Sequence, residues 1–493
     1  LGPPASELSP IRIAGTRNGK FAGQIVLACD KPLRGLAASA SALTAVDAEQ
    51  AGRIDTEHVE VFYSDATIVD PTGYRRVPHG HQRWTKVRTF DALRETPPRE
   101  VPLPQIASAK PLALRAVQPV WVRVAVPKDA KPGRYEGALT VRAEGIETIE
   151  VPIHLAVEDW TLPPAHQWQT FIGHFQSPES VALYYDVPMW SDKHFEYLER
   201  AFRLLGSVGN ETVYITCIAK TDIGNSQTML RWVKKGDGYE PDFTAVDRYL
   251  ALVKKYLIDP SVVCFYVWER PFGGGYFGRK DKSFQPPEVS VLDPETGKTQ
   301  LVEVPAYDRD GAKEFWQPAA AGIRRRLAEL DWSDSLMLGV GDDVLPDPKV
   351  VRLWKELLPE ARWVSMSHAI HGDFHDIADV GYATTVWTVR WYPKAKYGWR
   401  RKDLVCHYDR DSWRSNIQRQ FLVLSYLAGE RNITGGQRGF GRQSADFWPV
   451  IEHSKGKRSI AGRYPGNKGQ LSLRMNPYLA PGPDGHISTV RME

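Results

Sequence analysis

Long apolar runs, an excess of one charge and closely spaced cysteines are all missing from this chain of 493 residues. No stretch reaches the roughly 18 apolar residues that span a membrane, so we expect no membrane span. Basic and acidic residues nearly balance, at 63 and 59, and this gives no electrostatic reason to expect nucleic acid as a partner. The four cysteines lie far apart and lack zinc-site spacing, so we expect free thiols, no metal and no cofactor.

Several sequence motifs are absent as well. No GxSxG motif occurs, so an acyl-transfer nucleophile is not expected. The glycines at 273–275 lack the context of a phosphate-binding loop and predict a flexible loop. The first ten residues contain no basic segment followed by an apolar one. No signal peptide is visible in these residues, and our expectation is an extracellular or periplasmic protein whose signal peptide precedes this numbering.

Aromatic residues, in contrast, are abundant, with 16 Trp, 20 Tyr and 17 Phe. Large cores use tryptophan, and so do sugar-binding clefts, where the apolar faces of sugars stack on indole rings. Composition alone leaves both interpretations open.

The first part of the chain, residues 1–162, is predicted to form a β-sandwich. Short runs such as residues 120–126 and 149–157 alternate between apolar and polar side chains, and turn residues separate the runs. Such alternation places one face of a sheet in a core and the other in water. The prolines at 163 and 164 indicate a linker after this domain.

From residue 165 to about 450 the pattern changes to alternating strands and helices. About eight strands in this order favour a (β/α)8 barrel, similar to a TIM barrel, while a doubly wound open sheet remains the alternative. Residues 272–312 form a long polar insert, which is typical of a lid or a binding loop. Residues 451–493 are predicted to be a short β-rich C-terminal segment.

In a barrel of this kind, catalytic groups follow the carboxyl ends of the strands. Asp342 and Asp343, just after a predicted strand, are the candidate catalytic residues. The candidate substrate-binding residues also follow predicted strands, and they are His174, Gln176, Trp268, Glu269, His368, Trp387, Trp391, His407, Tyr408 and Asp409.

The pair Asp342–Asp343 allows two interpretations. If the backbone turns there, both carboxyl groups can reach one site, where repulsion and partial burial raise the pKa of one of them. Alternatively, the pair is a solvated turn that caps the helix predicted to begin near Lys349.

Glu269, a histidine cluster and Asp409 also allow two interpretations each. Glu269 is either a sugar-binding carboxylate or the partner of Arg270 in a salt bridge. The three histidines within residues 368–375 are either metal ligands or loop and substrate contacts. Asp409 is either a second catalytic carboxylate or a favourable charge at a helix N-terminus.

Four segments carry a resemblance, and they are residues 174–178 (HFQSP), 180–194 (SVALYYDVPMWSDKH), 126–137 (VPKDAKPGRYEG) and 481–491 (PGPDGHISTVR). They resemble glycoside hydrolase family 123 and the related group of proteins with a glycoside hydrolase domain. The first two are similar to the first strand and helix of that family's barrel, the third to the sandwich that precedes it, and the fourth to the last segment. The resemblance covers most of the chain.

The resemblance implies an exo-acting β-N-acetylgalactosaminidase that uses the 2-acetamido oxygen of its substrate as the nucleophile. In that family an Asp orients the acetamide and the next residue, a Glu, protonates the leaving oxygen. Carried over, these roles fall on Asp342 and on Asp343, which is one methylene shorter, and the usual preceding histidine is absent from Gly339-Val-Gly341. We expect a glycoside hydrolase that acts on a glycan or polysaccharide; the alternative is a non-catalytic carbohydrate-binding protein on a decayed barrel.

Overall fold

The computed structural model describes eleven stretches of the chain, namely residues 8–46, 52–68, 88–104, 115–221, 223–276, 284–341, 344–366, 372–385, 404–407, 439–448 and 477–492. They belong to two compact units. One unit holds the described residues before Ala165 together with 487–492, and the other extends from Ala165 to His486. The predicted segment 451–493 is described only from residue 477. No helix in these stretches is long and apolar enough to cross a membrane.

In the residues that the structure describes, the first unit consists of strands and a 3₁₀ turn at Thr56–His58. Its described strands are β1 (Ile11–Arg17), β2 (Lys20–Cys29), β3 (Leu33–Arg34), β4 (Ala37–Ala40), β5 (Leu43–Ala45), β6 (Arg53–Ile54), β7 (Val59–Ile68), β8 (Arg88–Arg94), β9 (Glu100–Val101), β10 (Ala116–Ala125), β11 (Gly133–Ala143) and β12 (Ile146–Thr161).

Two main sheets of the first unit share one apolar core. One has the order β1-β12-β11-β5-β6, with β4 also on β11, and the other has the order β2-β10-β7-β8. Val122 and Val124 from β10 pack in the same core as Leu139 from β11 and Ile153 from β12. The unit is therefore sheet-rich, and its core lies between the two sheets, as the alternating sequence pattern indicates.

A buried ion pair ties the end of the chain to this unit. The guanidinium of Arg491 donates to the carboxylate of Asp91 at 2.5 Å, and both side chains are about 5% exposed, at 4% and 6%. The backbone N–H of Val490 donates to the carbonyl of Asp91 at 2.8 Å.

The second unit combines helices and strands, with 3₁₀ turns at Ala165–Gln167 and Ser333–Ser335. Its described helices are α1 (Pro178–Tyr185), α2 (Asp192–Ser207), α3 (Thr244–Tyr256), α4 (Ala312–Glu329) and α5 (Pro348–Leu357). The remaining strands are β13 (Phe171–Phe175), β14 (Thr212–Thr216), β15 (Arg231–Lys235), β16 (Gly238–Asp242), β17 (Val262–Tyr266), β18 (Gly274–Tyr276), β19 (Glu288–Leu292), β20 (Thr299–Glu303), β21 (Leu336–Gly341), β22 (Val344–Pro346), β23 (Arg362–Met366), β24 (Asp373–Phe374), β25 (Ala378–Thr385), β26 (Leu404–His407), β27 (Gly439–Ser444), β28 (Leu479–Gly482) and β29 (Gly485–Ser488), which runs into the first unit.

A parallel sheet forms the centre of the second unit. Its strand order is β13-β27-β26-β25-β23-β21-β17-β14. The two end strands also approach each other, because Ile172 and Asn210 form a parallel bridge and the N–H of Glu211 donates to the carbonyl of Ile172 at 2.8 Å. The described residues contain five α-helices, so the complete β/α pattern of a (β/α)8 barrel is not established.

Helix α2 shows how the sequence builds this unit. The hydroxyl of Ser191 accepts from the N–H of His194 at 3.2 Å and caps the helix. Leu198, Phe202 and Leu205 are spaced at three and four residues, and all three are buried. The prediction of this helix from capping and spacing is confirmed.

The insert after β17 differs from the sequence prediction. Residues 288–303 form β19 and β20, which join β15 and β16 in a four-stranded sheet. The glycines at 273–275 do not form a free loop, because Gly274 begins β18 and pairs with β22. The predicted helix at 417–427 and the strand from Ile433 lie outside the described residues.

Candidate active site

The parallel sheet brings the carboxyl ends of its strands to one edge, where several of the predicted site residues lie, and three of these are polar residues whose side chains are described. His174 is in β13, Gln176 follows β13, and Glu269 follows β17. All three are buried, with 2%, 3% and 6% of their surface exposed. Their environments determine what each can do.

His174 is held as a neutral imidazole. Its backbone N–H donates to Asn210 Oδ1 at 2.7 Å, and its ring lies 4.7 Å from that of Tyr478. Its Nδ1 has no hydrogen-bond partner among the described residues. Burial lowers the pKa of His174 to about 4. The ring is therefore uncharged at neutral pH.

The two polar atoms of the Gln176 side chain differ in their hydrogen bonding. Its Nε2 donates to the carbonyls of His174 at 2.6 Å and of Thr212 at 3.0 Å. Its Oε1 is buried and finds no partner in the part of the chain that the structure describes. An amide oxygen in this state can accept from a hydroxyl group or a water.

A small, mostly apolar cleft opens beside Gln176, between the ends of β13 and β14. Trp190 and Tyr214 contribute aromatic rings to its lining, and Met189 and Met229 contribute thioethers. Trp190 Nε1 is a second buried polar atom without a partner in the described stretches. Apolar walls with a few polar atoms are typical of ligand pockets, although a buried water fits the same description.

Glu179 also lines this cleft, and sequence reasoning missed it. Its carboxylate is 5% exposed and accepts from the N–H of Ser226 at 2.6 Å and from the hydroxyl of Ser226 at 2.5 Å. Its position in the first turn of α1 gives it the appearance of an ordinary acidic residue at a helix start. Its burial and its contact with Ser226, 47 positions away, distinguish it from such a residue.

Glu269 is oriented by its neighbours. The hydroxyl of Tyr266 donates to Glu269 Oε2 at 2.9 Å, and the N–H of Arg270 donates to Oε1 at 3.2 Å. The carbonyl of Glu269 accepts from the N–H of Phe272 at 2.9 Å. These contacts fix the orientation of the Glu269 carboxylate at the end of β17.

Trp268, predicted to stack on a sugar, is fully buried in this conformation. Its Nε1 donates to the carbonyl of Gly273 at 2.8 Å. A Cβ placed on Gly274 would lie 2.4 Å from Cζ2 of the indole, so this glycine covers the ring. The indole therefore supports the segment that carries Glu269 and offers no open face here.

The candidate catalytic pair, Asp342 and Asp343, lies outside the described residues. The chain on both sides of it is described. Gly341 ends β21, which is the parallel neighbour of β17, and Val344 begins β22. Helix α5 is capped by Asp347, whose carboxylate accepts from the N–H of Lys349 at 2.9 Å. That helix thus has a cap other than the pair.

The other predicted contacts also lie outside the described residues, and these are His368, Trp387, Trp391, Tyr408 and Asp409. His407 ends β26, so its backbone belongs to the same parallel sheet, but its side chain is not described. The histidine cluster is represented only by His375, whose Nε2 hydrogen-bonds the carbonyl of Pro346 at 2.7 Å. No group of three or more His, Cys, Asp or Glu suited to a metal occurs within the described stretches.

A second group that sequence reasoning missed supports the end of β13. Asp446 accepts from the N–H of Ser177 at 2.6 Å through Oδ1, and its Oδ2 lies 3.1 Å from Nε2 of His486. Asp446 and His486 are both buried. These residues are remote in sequence, and no local pattern relates them.

The thiols give no sign of catalytic use. Cys217 and Cys264 are free and fully buried, and burial raises the pKa of both thiols. A raised pKa disfavours the thiolate, which is the nucleophilic form.

Comparison with family models gives two matches. The model for "Glycoside hydrolase 123, catalytic domain" matches residues 175–493, and the model for "Glycoside hydrolase 123 N-terminal domain" matches residues 3–143. The first match covers more than half of the chain. A search of the curated proteins gave no match.

Among solved structures, the chain is similar to a family 123 glycoside hydrolase from Clostridium perfringens, described for glycolipid glycan hydrolysis. The identity is 14%, the TM-score is 0.67, and the match covers 99% of this chain and 81% of that chain. A putative glycoside hydrolase from Bacteroides vulgatus matches with 8% identity, covering 87% of this chain and 64% of that chain, but with a TM-score of 0.23. A Bacteroides ovatus xyloglucanase matches with 10% identity over 95% of this chain and 88% of that chain, with a TM-score of 0.24. Only the first likeness supports a statement about the fold.

Proposed function

The chain belongs to glycoside hydrolase family 123 and is a glycoside hydrolase, and from this premise we propose that it removes a terminal β-N-acetylhexosamine from a glycan by substrate assistance. One observation carries the proposal. The pair Asp342–Asp343 directly follows β21 in sequence, and β21 is the parallel neighbour of β17, whose carboxyl end carries the buried carboxylate of Glu269.

The sheet that carries these strand ends is proposed to close as a (β/α)8-like barrel, and the first unit is proposed to be a β-sandwich. Phe175 of β13 stacks on Tyr214 of β14 with ring centroids 3.8 Å apart, although these strands stand at opposite ends of the sheet order. Phe171 of β13 lies 5.1 Å from Tyr382 of β25, three strands along the sheet. Adjacent strands are about 4.8 Å apart, so a flat sheet would hold this second pair at about 14 Å. Strong curvature supports closure.

In the proposed reaction the acetamide oxygen of the substrate attacks the anomeric carbon, and the bond to the leaving oxygen breaks. Asp342 orients the acetamide, and Asp343 gives its proton to the leaving oxygen. A water then opens the cyclic intermediate and returns a proton to Asp343. Asp343 must be protonated before each turnover, which requires a pKa raised by burial or by its charged neighbour.

The sugar hydroxyls are proposed to bind the surrounding rim. Glu269, held by Tyr266 and the backbone of Arg270, accepts from one hydroxyl. Gln176 Oε1, which has no partner among the described residues, accepts from another. The remaining predicted contacts complete the proposed pocket, and they are His174, His368, Trp387, Trp391, His407, Tyr408 and Asp409. A glycan substrate is consistent with the expected extracellular or periplasmic location, which fractionation of the native cell would test.

The test is hydrolysis of two aryl β-glycosides that differ only in a 2-acetamido or a 2-hydroxy group. We expect the 2-acetamido sugar to be the better substrate. Asp343→Asn removes the proton donor and is expected to lower kcat about 10²- to 10⁴-fold. Asp259→Asn is the matched control, because Asp259 is exposed and lies after α3.

Two results would contradict the proposal. Equal or faster hydrolysis of the 2-hydroxy sugar would indicate direct chemistry between two protein carboxylates, with Glu269 or Asp409 as the second. Glycan binding in calorimetry without turnover would support the non-catalytic alternative, for which the shorter Asp343 is the motive.

A further inference from the structure

A short two-stranded ribbon holds the backbone that directly follows the proposed catalytic pair. Strand β18 pairs antiparallel with β22 in the register Gly274–Pro346, Gly275–Leu345 and Tyr276–Val344. Val344 is the residue next to Asp343. The chain on the other side of the pair is held by β21, within the parallel sheet. Both flanks of the pair are thus fixed by strand pairing.

The carbonyl of Gly273 connects this ribbon to the strand end that carries Glu269. It accepts from Trp268 Nε1 at 2.8 Å and from the N–H of Asp347 at 3.0 Å. Trp268 directly precedes Glu269, and Asp347 directly follows β22. One acceptor atom therefore links the two segments that bear the proposed site carboxylates.

Glycine is required where the ribbon crosses the indole. A Cβ on Gly274 would lie 2.4 Å from Trp268 Cζ2 and 2.7 Å from the carbonyl oxygen of Leu345. Both distances are below van der Waals contact, and the second neighbour is backbone. A side chain at this position would push the ribbon away from Trp268 or separate its two strands.

Further hydrogen bonds hold the ribbon and the strand end beside it. The carbonyl of Pro346 is hydrogen-bonded by Nε2 of His375 at 2.7 Å. The backbones of Trp268 and Val267 are in turn fixed to the sheet, because their N–H groups donate to the carbonyl of Gly339 at 3.3 and 3.0 Å. The contacts form a continuous frame from β17 through the ribbon to β21.

We propose that Trp268, Gly273 and Gly274 are positioning residues that set the proton donor Asp343 at the correct distance from the leaving oxygen, an inference that rests on the proposed function. A displacement of about 1 Å can cost on the order of a hundredfold in rate. This effect acts mainly on the proton-transfer step, since β22 of the ribbon begins at the residue next to Asp343.

The experiment compares Gly274→Ala and Trp268→Phe with the wild type on two aryl 2-acetamido-β-glycosides. One substrate has a leaving group that needs protonation, and the other has a dinitrophenolate that leaves without it. Trp268→Phe keeps an aromatic ring but removes the Nε1 donor and part of the buried indole that packs on Gly274, so it serves if Gly274→Ala does not fold. Gly238→Ala is the control glycine, because its nearest neighbour is the carbonyl oxygen of Lys235 at 3.9 Å.

We expect each variant to lose at least about tenfold in kcat on the substrate that needs the acid and less than about threefold on the activated one. KM should change by a smaller factor than kcat on the substrate that needs the acid, and Gly238→Ala should match the wild type. Equal losses on both substrates, or full activity in folded Gly274→Ala and Trp268→Phe, would overturn the proposal, because destabilisation alone lowers both rates by the same factor.

Asp343→Asn is run in the same assay to separate the two hypotheses. If it loses activity while the positioning variants do not, only the positioning role is wrong. If it keeps full activity on the demanding substrate, Asp343 is not the acid, and both the proposed mechanism and the positioning role are wrong.

Discussion

The strands of the two units bury their residues in different ways. In β12 the buried residues Val151, Ile153 and Leu155 alternate with residues that contact water, and the side chain of His154 is 43% exposed. In β17 every residue is at most 3% exposed. A sheet with one solvent-exposed face needs apolar residues only at alternate positions. A parallel sheet that is buried on both faces needs them at every position. A substitution that is neutral in one strand is therefore costly in the other.

The largest test of this difference is in β17. Phe265→Ala is expected to lower the free energy of unfolding of the second unit by about 3–5 kcal/mol, because it leaves a cavity. Cys264→Ser, on the opposite face of the same strand, is expected to cost about 1–3 kcal/mol, because it buries a hydroxyl group. Urea unfolding followed by tryptophan fluorescence measures both, since the fully buried tryptophans lie in the second unit. A cost below about 0.5 kcal/mol for Cys264→Ser would show that this face is not closely packed.

The buried histidines are expected to lower the stability of the second unit in acid, and this effect is of intermediate size. Burial lowers the pKa of His174 and of His194 to about 4, so each stays neutral in the folded unit while the unfolded chain takes up a proton near pH 6.5. The free energy of unfolding therefore falls as the pH drops from about 6.5 towards 4. Each histidine contributes a loss of about 3 kcal/mol at pH 4.

Unfolding of the second unit at pH 7, 5.5 and 4.5 measures this loss. His174→Phe should make the decrease with acid smaller, and the matched change His166→Phe, at an exposed position in the same unit, should leave it unchanged. An unchanged slope in His174→Phe would mean that this histidine is not neutral in the folded state.

The smallest effect is expected at the wet face of β12. His154→Ala should change the free energy of unfolding of the first unit by no more than about 0.5 kcal/mol. Leu155→Ala, one residue further along, should cost about 2–5 kcal/mol. Unfolding followed by far-UV circular dichroism compares them. Similar losses of unfolding free energy in the two variants would contradict the burial of only one face of this strand.

The fold was predictable where a short segment carries its own pattern. Alternation in residues 149–157 indicated a strand with one buried face, and Ser191 followed by helical spacing indicated α2. The glycines at 273–275 were predicted as a flexible loop, and this was wrong because their partner strand lies about 70 residues later. Local patterns report propensity and burial, but they do not report which distant segment provides a pairing partner.

The positions of the candidate site residues were predictable to a similar extent, while their roles stay predictions. Polar residues after apolar strands identified Glu269 and Gln176, and the structure places both at the carboxyl edge of the parallel sheet. Sequence reasoning did not find Glu179 or Asp446, because each acquires its role through a residue that is distant in sequence. Trp268 was expected to face a sugar, but only the covering position of Gly274 reveals that it is buried.

The ion pair between Asp91 and Arg491 joins residues that are 400 positions apart within one unit. During synthesis at roughly 5–20 residues per second, Asp91 leaves the ribosome about 20–80 seconds before its partner exists. Asp91 therefore cannot pair with Arg491 until the entire second unit has been translated. The apolar core of the first unit draws on residues 11–157 and can pack earlier, so the Asp91–Arg491 contact is added late to a unit that already has its core.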